Sequence, residues 1–463
     1  MKITPDQGSD LFSTINNRSE LLSYKPWLLP DVLFWKDKED YLISNPEDNN
    51  PMKLNFSTFF ILKFFNGKNR LLKILDIITK KFQVKREVAE KDLLKIIKYL
   101  VNKNYISLKK PKEIQIRQKR VSYDLEFVSI SLTNRCNLNC FMCYANSGEC
   151  MEKELKFTDW SNVLNSIAKM GAHYLILTGG EPLIYEDLIP LFKYATNLGF
   201  DIELCSNGTL ITKEIADFFK KEHIRSVRIS LDGADAKTHD KIRGITGSFK
   251  KTIRGIKLLT DRDIRTEIQT IGCQYNIDNF AEIVELCINL GIYRIEIAPL
   301  EKIGRAEGLS NELFLSAEQM QKLHEFMVEH QVKYKKQIKS LLEKNTRRFI
   351  NQKTCFAYPR CGIGIFLIHF DPIGSIYPCS LLTSPQFYLG NVITNNIKNI
   401  WDKSEILAEF RKKILEDYKD CRGCGLRYLC LGGCRSRAFN LKNDLFGPDP
   451  YYCIYYDRYR SID

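Results

Sequence analysis

Short apolar runs alternate with helix-length amphipathic segments from Phe127 onward. The runs are rich in β-branched residues, and most end in polar or glycine residues: FVSISLT, HYLILTGG, DIELCSNG, SVRISLDG, RTEIQTIG and YRIEIAPL. Strands separated by helices predict a parallel sheet, because each parallel pair needs a long crossover connection. Six such units predict an α/β fold that curls into a partial (β/α)6 TIM-like barrel over residues 121–300. In such barrels, the carboxyl ends of the strands carry the chemistry.

A different pattern precedes the barrel, between Trp35 and Ile106. Two strand-like runs and a turn-like run are followed by three segments with helical periodicity, FSTFFILKFF, LLKILDIITKKF and EKDLLKIIKYLVNKNYISL. This order predicts a winged-helix-like α+β domain over residues 1–110. A charged stretch with few core residues, KKPKEIQIRQKRVSYD, then predicts a linker or an edge strand between domains.

Two further regions follow the barrel. Residues 301–354 contain a charged helical stretch and are predicted to form a helical bridge, and residues 355–463 form a cysteine-rich C-terminal domain. A chain of 463 residues is longer than one hydrophobic core usually serves, which agrees with several domains.

Composition and charge narrow the class of protein. With 44% hydrophobic and 27% charged residues, the chain is expected to be globular, and it shows no apolar run of about eighteen residues and no signal peptide. We therefore expect a cytoplasmic protein without a membrane partner. The net charge of +13 is spread over amphipathic helices and linkers, which favours a solvated surface over nucleic-acid binding. In a reducing cytosol the fifteen cysteines stay thiols, and clustered thiols there usually bind metal.

Three of these cysteines follow the first barrel strand with the spacing C-x3-C-x2-C: Cys136, Cys140 and Cys143. Three thiolates on one short loop can hold three irons of a [4Fe–4S] cluster and leave the fourth iron open to a chelating molecule. A structural zinc site is the alternative, but it needs four ligands, and only Cys150 is nearby.

This spacing resembles the signature of the radical S-adenosylmethionine (SAM) superfamily, and further elements of that family follow in order. Gly179, Gly180, Glu181 and Pro182 resemble its GGEP motif, which implies that the glycines let the backbone approach SAM and that Glu181 pairs with the SAM ammonium group. The resemblance implies further SAM contacts at the ends of the next two strands and at an arginine for the SAM carboxylate: Ser206, Asn207, Ser230, Asp232 and Arg243. Each string taken alone is equally typical of a structural turn.

The C-terminal cysteines are spaced in a second recognisable way. They match the SPASM extension of radical SAM enzymes, and the resemblance implies two auxiliary clusters, making three [4Fe–4S] clusters in all. Auxiliary cluster I would be held by Cys355, Cys361, Cys379 and Cys434, and auxiliary cluster II by Cys421, Cys424, Cys430 and Cys453. Two zinc-ribbon sites are the alternative, because C-x2-C pairs also bind zinc.

The N-terminal pattern resembles the recognition element of enzymes that modify ribosomally made peptides (RiPPs). The resemblance implies a precursor peptide as partner, with its leader bound as an added strand and its core modified in the barrel. It also implies an electron donor such as flavodoxin or ferredoxin. A winged helix that only packs on the barrel, or binds nucleic acid, is the alternative.

Together the three regions resemble radical SAM/SPASM peptide maturases. The resemblance implies a 5′-deoxyadenosyl radical that abstracts hydrogen from the peptide and an intramolecular crosslink, either a thioether or a carbon–carbon bond. Epimerisation, sulfatase-type oxidation and a non-catalytic iron–sulfur scaffold that binds peptide remain open. The sulfatase-type reaction is disfavoured because Ser380 stands where those enzymes carry an aspartate, and Cys355 would close the position at which some thioether formers bind the substrate thiol.

Overall fold

The structure of the chain is a computed structural model, and it is built from helices and strands in three consecutive parts. The described residues are 18–28, 33–37, 40–44, 52–62, 64–65, 69–103, 105–108, 123–334, 361–413, 417–422, 424 and 430–457. Among them, no helix is both long enough and apolar enough to cross a bilayer.

The N-terminal part is an α+β unit with its own hydrophobic core. It contains β1 (Trp27–Leu28), β2 (Leu33–Asp37), β3 (Asp40–Ser44), β4 (Met52–Leu54), β5 (Ile106–Ser107), α1 (Arg18–Ser23), α2 (Phe56–Leu62), α3 (Leu71–Phe82) and α4 (Arg86–Asn102). Strands β2, β3 and β4 form an antiparallel sheet, and β1 pairs with β5. The apolar faces of α3 and α4 pack together through residues such as Leu71, Ile74, Leu93 and Ile97.

The middle part consists of six parallel strands that neighbour one another in chain order. The strands are β6 (Phe127–Ser131), β7 (Tyr174–Thr178), β8 (Asp201–Ser206), β9 (Ser226–Ser230), β10 (Thr266–Gly272) and β11 (Arg294–Pro299). The helices between them are α5 (Phe157–Lys169), α6 (Leu188–Asn197), α7 (Lys213–Lys221), α8 (Ala236–Arg243), α9 (Ser248–Thr260) and α10 (Phe280–Asn289). The six predicted βα units, and with them the α/β partial barrel, are confirmed.

The C-terminal part extends the barrel sheet, which the sequence did not indicate. After α11 (Ala317–Lys333) it contains β12 (Leu367–Phe370), β13 (Ser375–Tyr377), β14 (Gly390–Asn391), α12 (Ile397–Lys403), α13 (Glu405–Lys412), α14 (Arg435–Lys442) and α15 (Pro450–Asp457). Strand β12 pairs parallel to β6, with Leu367 opposite Phe127, and β13 and β14 continue antiparallel. The result is one mixed nine-stranded sheet.

The hydrophobic core follows this shared sheet. Ile368 and Phe370 of β12 and Trp401 of α12 belong to the same buried cluster as Val128 and Ile130 of β6. The predicted boundary between the barrel and the cysteine-rich domain therefore crosses a continuous core. The four domain ranges stay predictions, and residues 109–122 and 335–360, with the linker and much of the bridge, lie outside the described residues.

Buried ion pairs connect two pairs of neighbouring barrel strands, β8 with β9 and β10 with β11. Arg228 on β9 pairs with Glu203 on β8 at 2.5 Å, and Arg294 on β11 pairs with Glu267 on β10 at 2.5 Å. Glu267 also binds the partly exposed Arg265 at 2.7 Å. Charges this deep are tolerated because each has an oppositely charged partner within hydrogen-bond distance.

Removing Arg294 alone should destabilise the barrel more than removing both Arg294 and Glu267. We expect Arg294→Met to lower the free energy of unfolding by about 3 kcal/mol, because Glu267 would keep a buried charge with less compensation. The double variant Arg294→Met/Glu267→Leu should recover most of that loss. Urea unfolding monitored by intrinsic fluorescence measures both variants, and a double variant less stable than the single one would contradict the expectation.

Candidate active site

The loop that carries Cys136, Cys140 and Cys143 begins at the carboxyl end of β6 and closes on itself through its backbone. The N–H of Cys136 donates to the carbonyl of Gly148 at 3.0 Å, and the N–H of Gly148 donates to the carbonyl of Asn134 at 2.9 Å. The three cysteines share a small apolar cluster with the side chains of Leu138, Met142, Ile242, Cys273, Leu300 and Ala306. The loop therefore gathers the three thiols in a region of low water access.

The surroundings of the three sulfurs suit metal-bound thiolates. Burial raises the pKa of the Cys136 thiol to about 11, and the neighbouring sulfurs of Cys140 and Cys143 add to the rise. The N–H of Ser147 donates to Cys143 Sγ at 3.4 Å, and Arg243 Nη1 lies 3.7 Å from Cys140 Sγ. Such a site disfavours free thiolates unless a cation compensates them, as the irons of a cluster do.

Two glycines of the GGEP motif let β7 end directly against this loop. A Cβ atom on Gly179 would lie 2.5 Å from the carbonyl oxygen of Thr133, and one on Gly180 would lie 2.3 Å from that of Arg135. The N–H groups of Gly180 and Glu181 donate to those same two carbonyls, at 2.7 Å and 2.9 Å. In the structure, the glycines thus serve the close approach of the cysteine loop, whereas the predicted approach to SAM stays a prediction.

The other side of the cysteine loop is held by residues that the sequence analysis missed. A Cβ atom on Gly304 would lie 2.5 Å from the carbonyl oxygen of Cys143, and Gly304 has a φ of 57°, which favours glycine. Arg305 donates from its backbone to the same carbonyl at 3.0 Å, from Nη1 to the carbonyl of Cys140 at 2.9 Å, and from Nη2 to that of Ser147. The sequence could have indicated this role, because Gly304 and Arg305 follow shortly after the end of the last barrel strand.

Glu181 is a fully buried carboxylate at the strand ends. Its oxygens accept hydrogen bonds from Ser206 Oγ at 2.8 Å and from the N–H of Asn207 at 2.7 Å. Burial raises the pKa of Glu181 to about 7, although these hydrogen bonds oppose the rise. Within the described residues no Lys or Arg pairs with it, so an ammonium group arriving here would compensate a buried charge. This environment fits the role predicted for Glu181, and it gives Ser206 and Asn207 a role in holding that carboxylate.

Asp232 and Arg243 form a buried ion pair beside the cysteine loop. Arg243 Nη2 lies 2.5 Å from Asp232 Oδ2, and the N–H of Ile271 donates to Asp232 Oδ1 at 2.8 Å. The structure therefore uses Asp232 to position Arg243, while direct contacts of either residue with SAM stay predictions. Ser230 is half-buried at the end of β9, and Pro182 is buried at the start of a short 3-10 helix.

The C-terminal cysteines fall into two groups in space. Burial and the nearby sulfurs of Cys361 and Cys434 raise the pKa of the Cys379 thiol well above its usual value. Burial, with smaller contributions from Cys421, Cys424 and Cys453, raises the pKa of the Cys430 thiol to about 12. These two groups agree with the two predicted ligand sets. Cys355 lies outside the described residues.

Cys434 is connected to the barrel through a buried polar network that the sequence did not reveal. Its N–H donates to Asp449 Oδ2 at 2.7 Å, and Arg437 binds both Asp449 at 3.1 Å and Glu301 at 3.2 Å. The hydroxyl of Tyr451 donates to the carbonyl of Leu300 at 2.9 Å. Leu300 and Glu301 follow β11, so this network fixes the second cysteine region against the carboxyl ends of the strands.

The contact between Gly180 and the cysteine loop generates a direct test. We expect Gly180→Ala to displace the carbonyl of Arg135 and with it the backbone of Cys136, which should lower the iron retained after anaerobic reconstitution by more than half. Gly308→Ala is the matched control, because a Cβ atom there meets nothing within 4 Å. Iron analysis of both variants checks this, and full iron retention by Gly180→Ala would contradict it.

Comparisons with known proteins agree with the site. Residues 130–287 match the model of the radical SAM superfamily, and residues 361–425 match that of an iron–sulfur cluster-binding domain, SPASM. The AdoMet-dependent heme synthase of Nitratidesulfovibrio vulgaris is 30% identical over 349 residues, which cover 72% of this chain and 93% of that protein. The mycofactocin maturase MftC of Mycolicibacterium smegmatis is 28% identical over 321 residues, 69% of this chain and 80% of that protein.

Solved structures share the fold over a larger part of the chain. SuiB of Streptococcus suis bound to the precursor peptide SuiA aligns with a TM-score of 0.60 and 18% identity, covering 92% of this chain and 99% of that one. The superfamily match implies a [4Fe–4S] cluster and SAM, and the SPASM match implies further iron–sulfur clusters. From its cysteine loop, its barrel and these matches, the chain belongs to the radical SAM superfamily and is an enzyme of the branch that carries a SPASM domain.

Proposed function

We propose that the chain is a peptide maturase that forms an intramolecular crosslink, a thioether or a carbon–carbon bond, in a ribosomally made precursor peptide. The observation that carries this proposal is the N-terminal α+β unit, with its own core, in front of a radical SAM barrel. A barrel that acted on a small molecule alone would have no need of such a unit. A binding unit of this size suits a substrate that extends well beyond the reacting bond.

The coverage of the comparisons supports this choice. Residues from Phe127 to the C-terminus make up less than three quarters of the chain, so an alignment that covers 92% of it has to include much of the N-terminal part. The alignment with SuiB, which was solved with a precursor peptide, thus extends into the N-terminal part. In sequence, the heme synthases and the peptide maturase MftC match similar shares of this chain, about 72% and 69%, so the support comes from the structural alignment.

A second candidate is an oxidative reaction on a tetrapyrrole. Its support is the 30% identity to AdoMet-dependent heme synthases from two organisms, over nearly the whole of one of them. The matched lengths, 349 and 346 residues, are about that of the barrel and the cysteine-rich part together. This candidate leaves the N-terminal unit without a role, so we rank it second.

The residues of the chain prepare the site for radical chemistry. When bound, the cluster and SAM would supply a 5′-deoxyadenosyl radical for abstraction of one hydrogen atom from the substrate, and an auxiliary cluster would supply the acceptor for one electron as a proton is lost. Cys136, Cys140 and Cys143 would hold the cluster, and Glu181 would bind the SAM ammonium group. Arg243, positioned by Asp232, would bind the SAM carboxylate. The apolar surroundings exclude water, so positioning of the substrate decides which bond forms.

Three clusters in total are part of the proposal. Auxiliary cluster I would take Cys355, Cys361, Cys379 and Cys434, and auxiliary cluster II would take Cys421, Cys424, Cys430 and Cys453. The mutual effects of the thiols on their pKa values support these sets for the described cysteines, since Cys361 and Cys434 raise the pKa of Cys379, whereas Cys421, Cys424 and Cys453 raise that of Cys430, only four residues before Cys434. Gly432 and Gly433, both with φ near 70°, turn the chain between Cys430 and Cys434.

The proposed function is tested in two steps. Reconstituted protein with dithionite and SAM should release 5′-deoxyadenosine, and coexpression with short peptides encoded beside the gene should give a peptide lighter by two hydrogens. A variant with Cys136, Cys140 and Cys143 replaced by alanine is the control and should do neither. High-resolution mass spectrometry reads both products.

The outcomes separate the candidates. Release of 5′-deoxyadenosine with a change in an added tetrapyrrole, but in no peptide, would establish the second candidate instead. A peptide that changes stereochemistry without losing mass would indicate epimerisation. Absence of SAM cleavage in the wild type would leave a non-catalytic scaffold.

The crossed ligation of the auxiliary clusters has its own test. We expect Cys430→Ala and Cys453→Ala to remove the same cluster, and Cys434→Ala and Cys379→Ala to remove the other, each with about four fewer irons per chain. Cys287→Ala is the control, because this buried thiol belongs to α10 and to the barrel core. Iron content and electron paramagnetic resonance spectra distinguish the two losses. Identical spectra for Cys430→Ala and Cys434→Ala would overturn the assignment.

A further inference from the structure

One part of the cysteine loop reaches the protein surface through aromatic side chains. Phe141, which lies between Cys140 and Cys143, is half-buried and packs edge-on against Tyr275, with ring centroids 5.6 Å apart. Tyr275 is 37% exposed, and the Lys241 ammonium lies 3.5 Å from its ring centroid. A short path of side chains thus connects the cluster ligands with solvent.

The backbone at the end of α8 also contacts the cysteine loop. The N–H of Asn139 donates to the carbonyl of Arg243 at 3.2 Å. Gly244 has a φ of 73°, and a Cβ atom there would lie 2.2 Å from the carbonyl oxygen of Asn139. The junction between α8 and α9 is therefore packed directly on the loop that holds Cys136 and Cys140.

The two helices at this junction carry a concentrated positive charge. Residues 236–260, which we call the basic hairpin, contain seven basic residues and one acidic residue. Six of the basic side chains are exposed: Lys237, Lys241, Lys250, Lys251, Arg254 and Lys257. The acidic residue, Asp240, accepts hydrogen bonds from the N–H groups of Gly247 and Phe249 at 2.6 Å and 2.7 Å, so it is occupied in joining the helices.

An apolar residue lies within this charged surface. Ile245, in the turn between α8 and α9, is 40% exposed. Together with Tyr275 and the exposed basic side chains, Ile245 gives this surface the mixed apolar and charged composition of a small transient interface. The charge complements an acidic protein, and the position suits one that delivers electrons.

We infer that the basic hairpin, with Ile245 and Tyr275, is the docking surface for an acidic electron-carrier protein of the flavodoxin type that reduces the cluster held by Cys136, Cys140 and Cys143. The inference rests on the proposed radical chemistry, and it adds the surface at which the electron for that chemistry enters the protein. One electron passes from the reduced carrier to the oxidised cluster, and no atom is transferred. The contact is small, salt-sensitive and guided by charge.

The test compares two reductants on the reconstituted holoenzyme. The variant Lys250→Glu/Lys251→Glu reverses two charges in the first turn of α9, where acidic side chains favour a helix, so it should fold normally. The matched control, Lys73→Glu/Lys80→Glu, makes the same change in charge on α3, which packs in the separate N-terminal core. Stopped-flow absorbance measures the reduction of the cluster by flavodoxin hydroquinone, and product analysis measures dithionite-driven SAM cleavage.

At low ionic strength we expect the α9 variant to be reduced by flavodoxin about tenfold more slowly than the wild type, with a weaker dependence on salt. The control should match the wild type, and all three proteins should cleave SAM equally with dithionite, because a small reductant needs no docking surface. Equal flavodoxin rates for the α9 variant and the wild type would overturn the inference, as would equal slowing of the control. If the wild type fails even with dithionite, the proposed function falls instead.

Discussion

The site depends on the close packing of the cysteine loop against the ends of the barrel strands. Gly180 after β7, Gly244 after α8 and Gly304 after β11 each present a backbone without a side chain to a carbonyl of this loop or of the residues leading into it. Arg305 then binds carbonyls on the loop. Because three separate elements define its position, the loop is fixed by the barrel as a whole. Three thiols in an eight-residue segment could otherwise adopt many arrangements, and only a few would fit the corners of one cube.

The same packing determines where charged side chains lie around the cysteine loop. The α8 segment that supplies Gly244 also supplies Arg243, whose guanidinium lies between Asp232 and Cys140 Sγ. The motif that supplies Gly180 also supplies Glu181, held by the residues that end β8. One set of close backbone contacts therefore places a cation near Cys140 and an anion near Cys136. A zwitterionic amino acid such as the methionine portion of SAM is complementary to such a pair.

The extension of the sheet connects the second cysteine region to this site. Pairing of β12 with β6 places the C-terminal part beside the strand that leads into the cysteine loop. The Arg437 network then connects Cys434 with the end of β11. The barrel and the C-terminal part share one hydrophobic core, which would keep any cluster bound at Cys361, Cys379 and Cys434 at a constant distance from the first one.

The sequence by itself determined the kind of chemistry and the kind of fold. Cysteine spacing is a local property, and alternating strands and helices follow from side-chain periodicity, so the thiol loop and the six βα units could be predicted. The roles of Gly180, Arg305 and Arg437, the pairing of Asp232 with Arg243, and the position of β12 were decided only by the tertiary structure. Each of these depends on contacts between residues far apart in the chain, and no local pattern records which distant backbone or charge a side chain will meet.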